Sequence, residues 1–149
     1  MSRDVDAYLR KKQFTPESVD KLARSLSEDK LSKFIEQAWK YMDPSPFKMG
    51  WPIEAVSEHL EAVTRGHIKR LIINIPPRYS KTELAVVNFI AWAMGQCPDA
   101  EFIHASYSAA LAINNSTQIR GLIAHEAFSD CFPETQLASE AAHQLLPTI

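Results

Sequence analysis

The sequence predicts an α/β fold, with N-terminal helices followed by a βαβα unit built on a parallel sheet. Three observations predict it. Leu31, Phe34, Ile35, Ala38, Trp39 and Met42 recur at helical spacing. Two short runs, Leu71–Ile75 and Glu101–Ala105, have the length and apolar character of strands. Between and after them come helical patterns, and strands that alternate with helices favour a parallel sheet with right-handed crossovers.

The elements follow in order. Residues 1–13 are charged and expected to be loosely ordered, and Thr15-Pro16 is a helix entry with Thr15 as N-cap. The helix through Leu31 and Met42 ends at Asp43-Pro44-Ser45-Pro46, a two-proline breaker. Pro52 opens a further helix with Ile53, Val56, Leu60 and Val63 as its apolar stripe, and Gly66 stands where a C-terminal cap belongs. The run Leu71–Ile75 is apolar without alternation, as a strand buried on both faces would be. Thr82–Met94 reads as a helix apolar nearly all round, which places it inside the fold. Ser106-Tyr107-Ser108 turns the second strand into a helix over Ala109–Ala124, and either serine can cap it. We divide the chain into a helical segment over residues 1–46 and an α/β domain over 47–149.

Composition narrows the function classes. With 149 residues, 46% of them hydrophobic and 23% charged, the chain has the make-up of one ordinary globular domain. A net charge of -2 exerts no global pull on nucleic acid or anionic membrane. Cys97 and Cys131 have no CxxC spacing, and the five histidines show no metal-ligand pairing, so no metal centre is expected from these groups. The start of the chain has no apolar signal core, and no run approaches the length of a membrane span. The expected location is the cytoplasm, with no membrane partner.

The chemistry concentrates in "LIINIPPRYSKTELAVV", Leu71–Val87. A strand end, a tight loop and a helix start are the parts of a phosphate-binding loop, because first-turn N–H groups and the helix dipole favour an anion. Lys81 can reach β- and γ-phosphates, and the Thr82 hydroxyl can enter the shell of Mg²⁺. The glycines of G-x-x-x-x-G-K-[ST] are absent: Ser80 stands at the second position and Ile75 at the first. Pro76 and Pro77 remove two donors, leaving the amides of Arg78 to Thr82. Residue chemistry alone leaves two readings open, a phosphate loop and a stiff turn whose lysine is only solvated.

The stretches "RLIINIPPRYSKTELAVV", "FIHASYSAALA" and "FPETQLA" resemble, in order, the ATPase domain of the large terminase subunit of tailed bacteriophages. The resemblance covers about Phe34 to Gln144. It implies a partial P-loop NTPase fold, truncated before its acidic Walker B strand and its nuclease domain. It also implies an ATP-driven, DNA-packaging function, with ATP and Mg²⁺ as cofactors. Lys81 resembles the Walker A lysine and Thr82 the magnesium-binding hydroxyl. Arg78 resembles the loop arginine that is a candidate for sensing or stabilising the γ-phosphate, the alternative being a salt bridge that only pins the loop, and Pro77, Tyr79 and Ser80 complete the loop. Phe47–His59 resembles the adenine-contacting segment, with Phe47 and Trp51 offering aromatic faces, although aromatics beside prolines are more often core plugs. Ser106, Tyr107 and Ser108 would line the cleft edge. Arg65, Lys69 and Arg70 could meet DNA phosphate or solvent.

The partners the resemblance implies are double-stranded DNA, a small terminase subunit and a portal protein, with a homo-oligomeric ring for the intact motor in a bacterial host. Glu126 and Asp130 do not fit the missing acidic strand end. The final "AAHQLLPTI" departs from the family pattern, so the chain reads as an N-terminal phage or prophage fragment expected to be inactive alone as an ATPase. The alternative is a small α/β structural or interaction protein that binds no nucleotide.

Overall fold

A computed structural model describes residues 16–137. The Thr15 cap, the charged start and the ending beyond Leu137 lie outside the described residues. Among the described residues every regular element is a helix: α1 (Pro16–Asp29), α2 (Leu31–Met42), α3 (Trp51–Thr64), a π-helical turn (Glu83–Asn88) running into α4 (Phe89–Gln96), α5 (Ala109–Ile123) and α6 (Glu126–Cys131).

This corrects the predicted βαβα parallel sheet and the P-loop fold built on it. Both expected strands are extended chain without a ladder. No backbone of residues 71–75 or 101–105 bonds to another backbone group among the described residues. A strand is defined by its partner, and neither segment has one. The expectation of two-sided burial fails with it. Leu71, Ile73 and Phe102 pack against the helical core, while Ile72 is 86% exposed and Ile103 99% exposed. Each segment is covered on one side only. An unbroken apolar run announces a surface that needs covering on two sides; it does not supply the second cover.

The helices form where the periodicity places them. Leu31, Phe34, Ile35 and Ala38 of α2 are buried, and the element stops at Asp43 ahead of Pro44. Gly66 follows α3 at φ +75°, and the N–H of His67 donates to Ala62 O at 2.9 Å, which closes the last turn in the left-handed conformation glycine permits. The helix starting at Lys81 is central, as its all-round apolar character predicts: Leu84, Val87, Ala91, Trp92 and Ala93 are buried. Its first half is loosened into a π turn, where buried Asn88 donates Nδ2–H to Glu83 O at 2.7 Å. An amide returning to the i−5 carbonyl occupies the space a π turn opens.

One core joins the two halves of the chain, running from Leu31 to Phe132. Phe34, Phe128 and Phe132 form an aromatic cluster with centroids 5.0–6.1 Å apart. Trp92 donates its Nε1–H to Ser27 O and Glu28 O at 3.1 and 3.2 Å, tying the end of α1 to α4. Gly95 lies flat on the Phe132 ring, where a Cβ would come within 2.5 Å.

A buried carboxylate fixes the α2–α3 pair. Glu61, 2% exposed, accepts the Leu31 N–H at 2.9 Å, and Lys30 Nζ and an Arg65 guanidinium nitrogen each lie 3.4 Å from its other oxygen. Lys30 provides no side-chain cap, so the anion at the start of α2 comes from a neighbouring helix.

Candidate functional site

The extended segment Leu71–Ile75 delivers the chain to the loop Pro76–Ser80, and the helix starts at Lys81. Within the loop, Arg78 has φ +69° and Ser80 φ +48°. Two side-chain-bearing residues two positions apart, Arg78 and Ser80, thus occupy left-handed backbone, each at a cost of order 1–3 kcal/mol. Ser80 stands where a phosphate loop has its second glycine, and the chain adopts the glycine conformation without the glycine.

The turn aims donors outward. Ser80 O accepts the Leu84 N–H at 2.9 Å, which closes the first helical turn. The N–H groups of Lys81, Thr82 and Glu83 precede that bond and have no partner among the described residues. They border a cavity of about 350 Å³ lined by Pro76, Pro77, Arg78, Ser80, Lys81, Thr82 and Glu83. Arg78 and Lys81 are exposed and form no ion pair among the described residues. Glu83 is the cavity's carboxylate and pairs with neither.

A second depression begins at the same Pro76. An apolar groove of about 450 Å³ runs between α3 and the extended segment, lined by Trp51, Pro52, Ala55, Val56, His59, residues 71–76 and Tyr79. Tyr79 and Trp51, 58% and 79% exposed, offer aromatic faces there. His59 is anchored by a 2.7 Å contact of Nδ1 with Ala55 O. The aromatic pair proposed from sequence divides: Trp51 lines the groove, whereas Phe47 packs on Trp39 at 5.5 Å and joins the core.

The loop residues Pro77, Arg78, Ser80, Lys81 and Thr82 therefore meet around one cavity, and Tyr79 faces the adjoining groove. Ser106, Tyr107 and Ser108 line neither. Ser108 is the N-cap residue of α5 but makes no side-chain cap bond, so the capping role assigned to it from sequence is not seen. Arg65 is engaged with Glu61, while Lys69 and Arg70 are exposed. Asp130 pairs with Arg24 at 3.1 Å, and Glu126 sits in the first turn of α6; neither lines the loop cavity.

Sequence reading missed a third cavity, of about 470 Å³, lined by Trp39, Tyr41, Met42, Asp43, Gln118, Gly121, Leu122 and His125 and touching the loop at Ser80 and Glu83. Tyr41 stacks on His125 with centroids 4.0 Å apart. Hydrogen bonds from the Ser45 hydroxyl and N–H hold the Asp43 carboxyl below its usual range. These residues come from α2 and the α5–α6 corner, and no local motif links them.

Comparison with known proteins leaves this geometry to stand by itself: no family model, curated protein or solved structure matches the chain.

Proposed function

We propose that the Pro76–Thr82 loop binds the phosphates of ATP, and that the chain is the nucleotide-binding part of a terminase-like DNA-packaging ATPase. The observation that carries the proposal is the pair of left-handed residues, Arg78 and Ser80, beside a cavity edged by first-turn amides and two cations that have no partner among the described residues. Strained backbone persists where something is gained from the geometry it gives. Here it turns N–H donors and positive charge toward one space.

In this reading the Lys81 ammonium and the amides of Lys81 to Glu83 hold the phosphates, and Arg78 contacts the terminal one. The Thr82 hydroxyl is the protein ligand for Mg²⁺, which neutralises phosphate charge when bound. The base lies in the apolar groove against Trp51 or Tyr79, since groove and cavity share Pro76. The residues fit binding, and hydrolysis is not part of the proposal. Double-stranded DNA, the small subunit and the portal belong to the whole motor that the sequence resembles.

Titration with a fluorescent ATP analogue, with and without Mg²⁺, tests the proposal. Saturable binding is expected, stronger with Mg²⁺, competed by ATP far better than by adenosine, and lost in Lys81→Ala. One observation favours a second reading, a helical interaction protein that binds no nucleotide: no sheet stands behind the loop among the described residues. Absence of saturable binding by the folded chain selects that reading.

A further inference from the structure

Residues Glu101–Ala105 form an open edge. On one face Phe102 meets Phe89 edge-on at 6.5 Å and His104 Nε2 lies 3.1 Å from Asn115 Nδ2, so helices α4 and α5 cover that face of the segment. On the other face Ile103 is 99% exposed and Tyr107 96% exposed. No backbone N–H or C=O of the five residues bonds within the described chain. Such an edge pairs only with another extended chain, because only that geometry matches its spacing of donors and acceptors.

We propose that the partner is a second copy of this chain, with residues 101–105 of the two copies paired antiparallel about a two-fold axis at Ile103. The segment is complementary to itself. In this register Ile103 meets Ile103 of the other copy on the outer face, Glu101 lies opposite Ala105, and Phe102 lies opposite His104 on the inner face. Opposed residues of an antiparallel pair share a face, and here apolar residues meet across the axis while no like charges do. The other exposed segment, Leu71–Ile75, fails this test. Lys69 and Arg70 precede it and Pro76-Pro77 ends it, so self-pairing about Ile73 sets each basic residue opposite a proline that cannot donate to the ladder. A two-fold contact is closed, so pairing stops at two chains. The contact does not involve the loop and is independent of nucleotide binding.

Sedimentation velocity of the full chain, from about 1 µM to about 1 mM, tests the proposal across the range expected for a small interface. A reversible monomer–dimer equilibrium is expected. Ile103→Lys should weaken it at least tenfold, by setting two ammonium groups against each other, and Ile72→Lys should leave it unchanged. Both side chains are solvent-exposed, so unaltered helical circular dichroism certifies the fold. Register is read by crosslinking in a Cys97→Ser, Cys131→Ser background. Ile103→Cys should oxidise to a covalent dimer; Glu101→Cys should not pair with itself but should pair with Ala105→Cys. A monomer at every concentration, a dimer indifferent to Ile103→Lys, or one equally sensitive to Ile72→Lys overturns the proposal.

Discussion

Two helix N-termini in this molecule have the same electrostatic need and meet it differently. At the start of α2, the Leu31 N–H and the cations Lys30 and Arg65 surround the Glu61 carboxylate, which is buried and comes from another helix. At Lys81, first-turn amides without a partner among the described residues and the cations Arg78 and Lys81 surround a cavity into which no other described helix sends a carboxylate. Glu83, the acid in that turn, pairs with neither cation. The first site shows what such a cluster binds when the protein supplies the anion. In the proposed function, the second is the same arrangement with the anion left to come from outside. An N-terminus with added positive charge is unfavourable unless an anion joins it.

The largest effect is expected on the closed side of this comparison. Glu61→Ala should destabilise the fold by about 2–3 kcal/mol, since it strands a buried N–H and two cations whose partial exposure softens the loss. Urea unfolding measures it. A change under about 0.5 kcal/mol would mean that the internal anion contributes little, and the analogy with the open site would lose its basis.

Next comes the open side. Lys81→Ala should lower affinity for the Mg²⁺–ATP analogue at least tenfold, about 1.4 kcal/mol, while the unfolding free energy stays within about 0.5 kcal/mol of the parent chain. Lys81 is exposed and makes no ion pair among the described residues, so its removal has little else to disturb. Equal affinity in the folded variant breaks the comparison.

How much of this could be read in the sequence depends on the range of the interaction. The helices were legible because their signals are local: apolar spacing in α2, Pro44 beyond its end, Gly66 at the close of α3. The loop was legible as a place, since proline, lysine and threonine fall within seven residues. The sheet was misread because Leu71–Ile75 and Glu101–Ala105 state a preference for extended chain, and a ladder also requires a partner no local pattern specifies. Glu61 was missed for a related reason. Its partners Lys30 and Leu31 are about thirty residues away, and in sequence it is one more acid beside an apolar stripe.

A smaller effect tests whether the loop's backbone strain is genuine. Ser80→Gly removes the Cβ that makes φ +48° unfavourable, yet adds chain entropy to the unfolded state. Left-handed backbone costs a non-glycine residue about 1–2 kcal/mol and glycine's added freedom returns about 0.5–1, so a net gain of about 0.5–1 kcal/mol is expected. Analogue affinity should hold or rise, because the same amides point the same way. A destabilised Ser80→Gly chain would show that the serine conformation is not strained.

The smallest effect is at the other junction between an extended segment and a helix. Ser108 stands at the N-cap of α5, where a serine normally bonds an amide two or three residues on, yet it forms no such bond. Ser108→Ala should therefore change the unfolding free energy by less than about 0.5 kcal/mol, against about 1 kcal/mol for a functioning cap. The contrast with Ser80 is informative because both serines sit where an extended segment turns into a helix. At Ser80 the backbone is bent into a left-handed turn and opens a cavity; at Ser108 it stays extended, at φ −132°, and opens none around the serine in the cavities described above. A full cap-sized loss at Ser108 would show that its hydroxyl closes the first turn of α5 in solution. The first junction would then be set apart by its open amides as well as by its strained backbone and its cations.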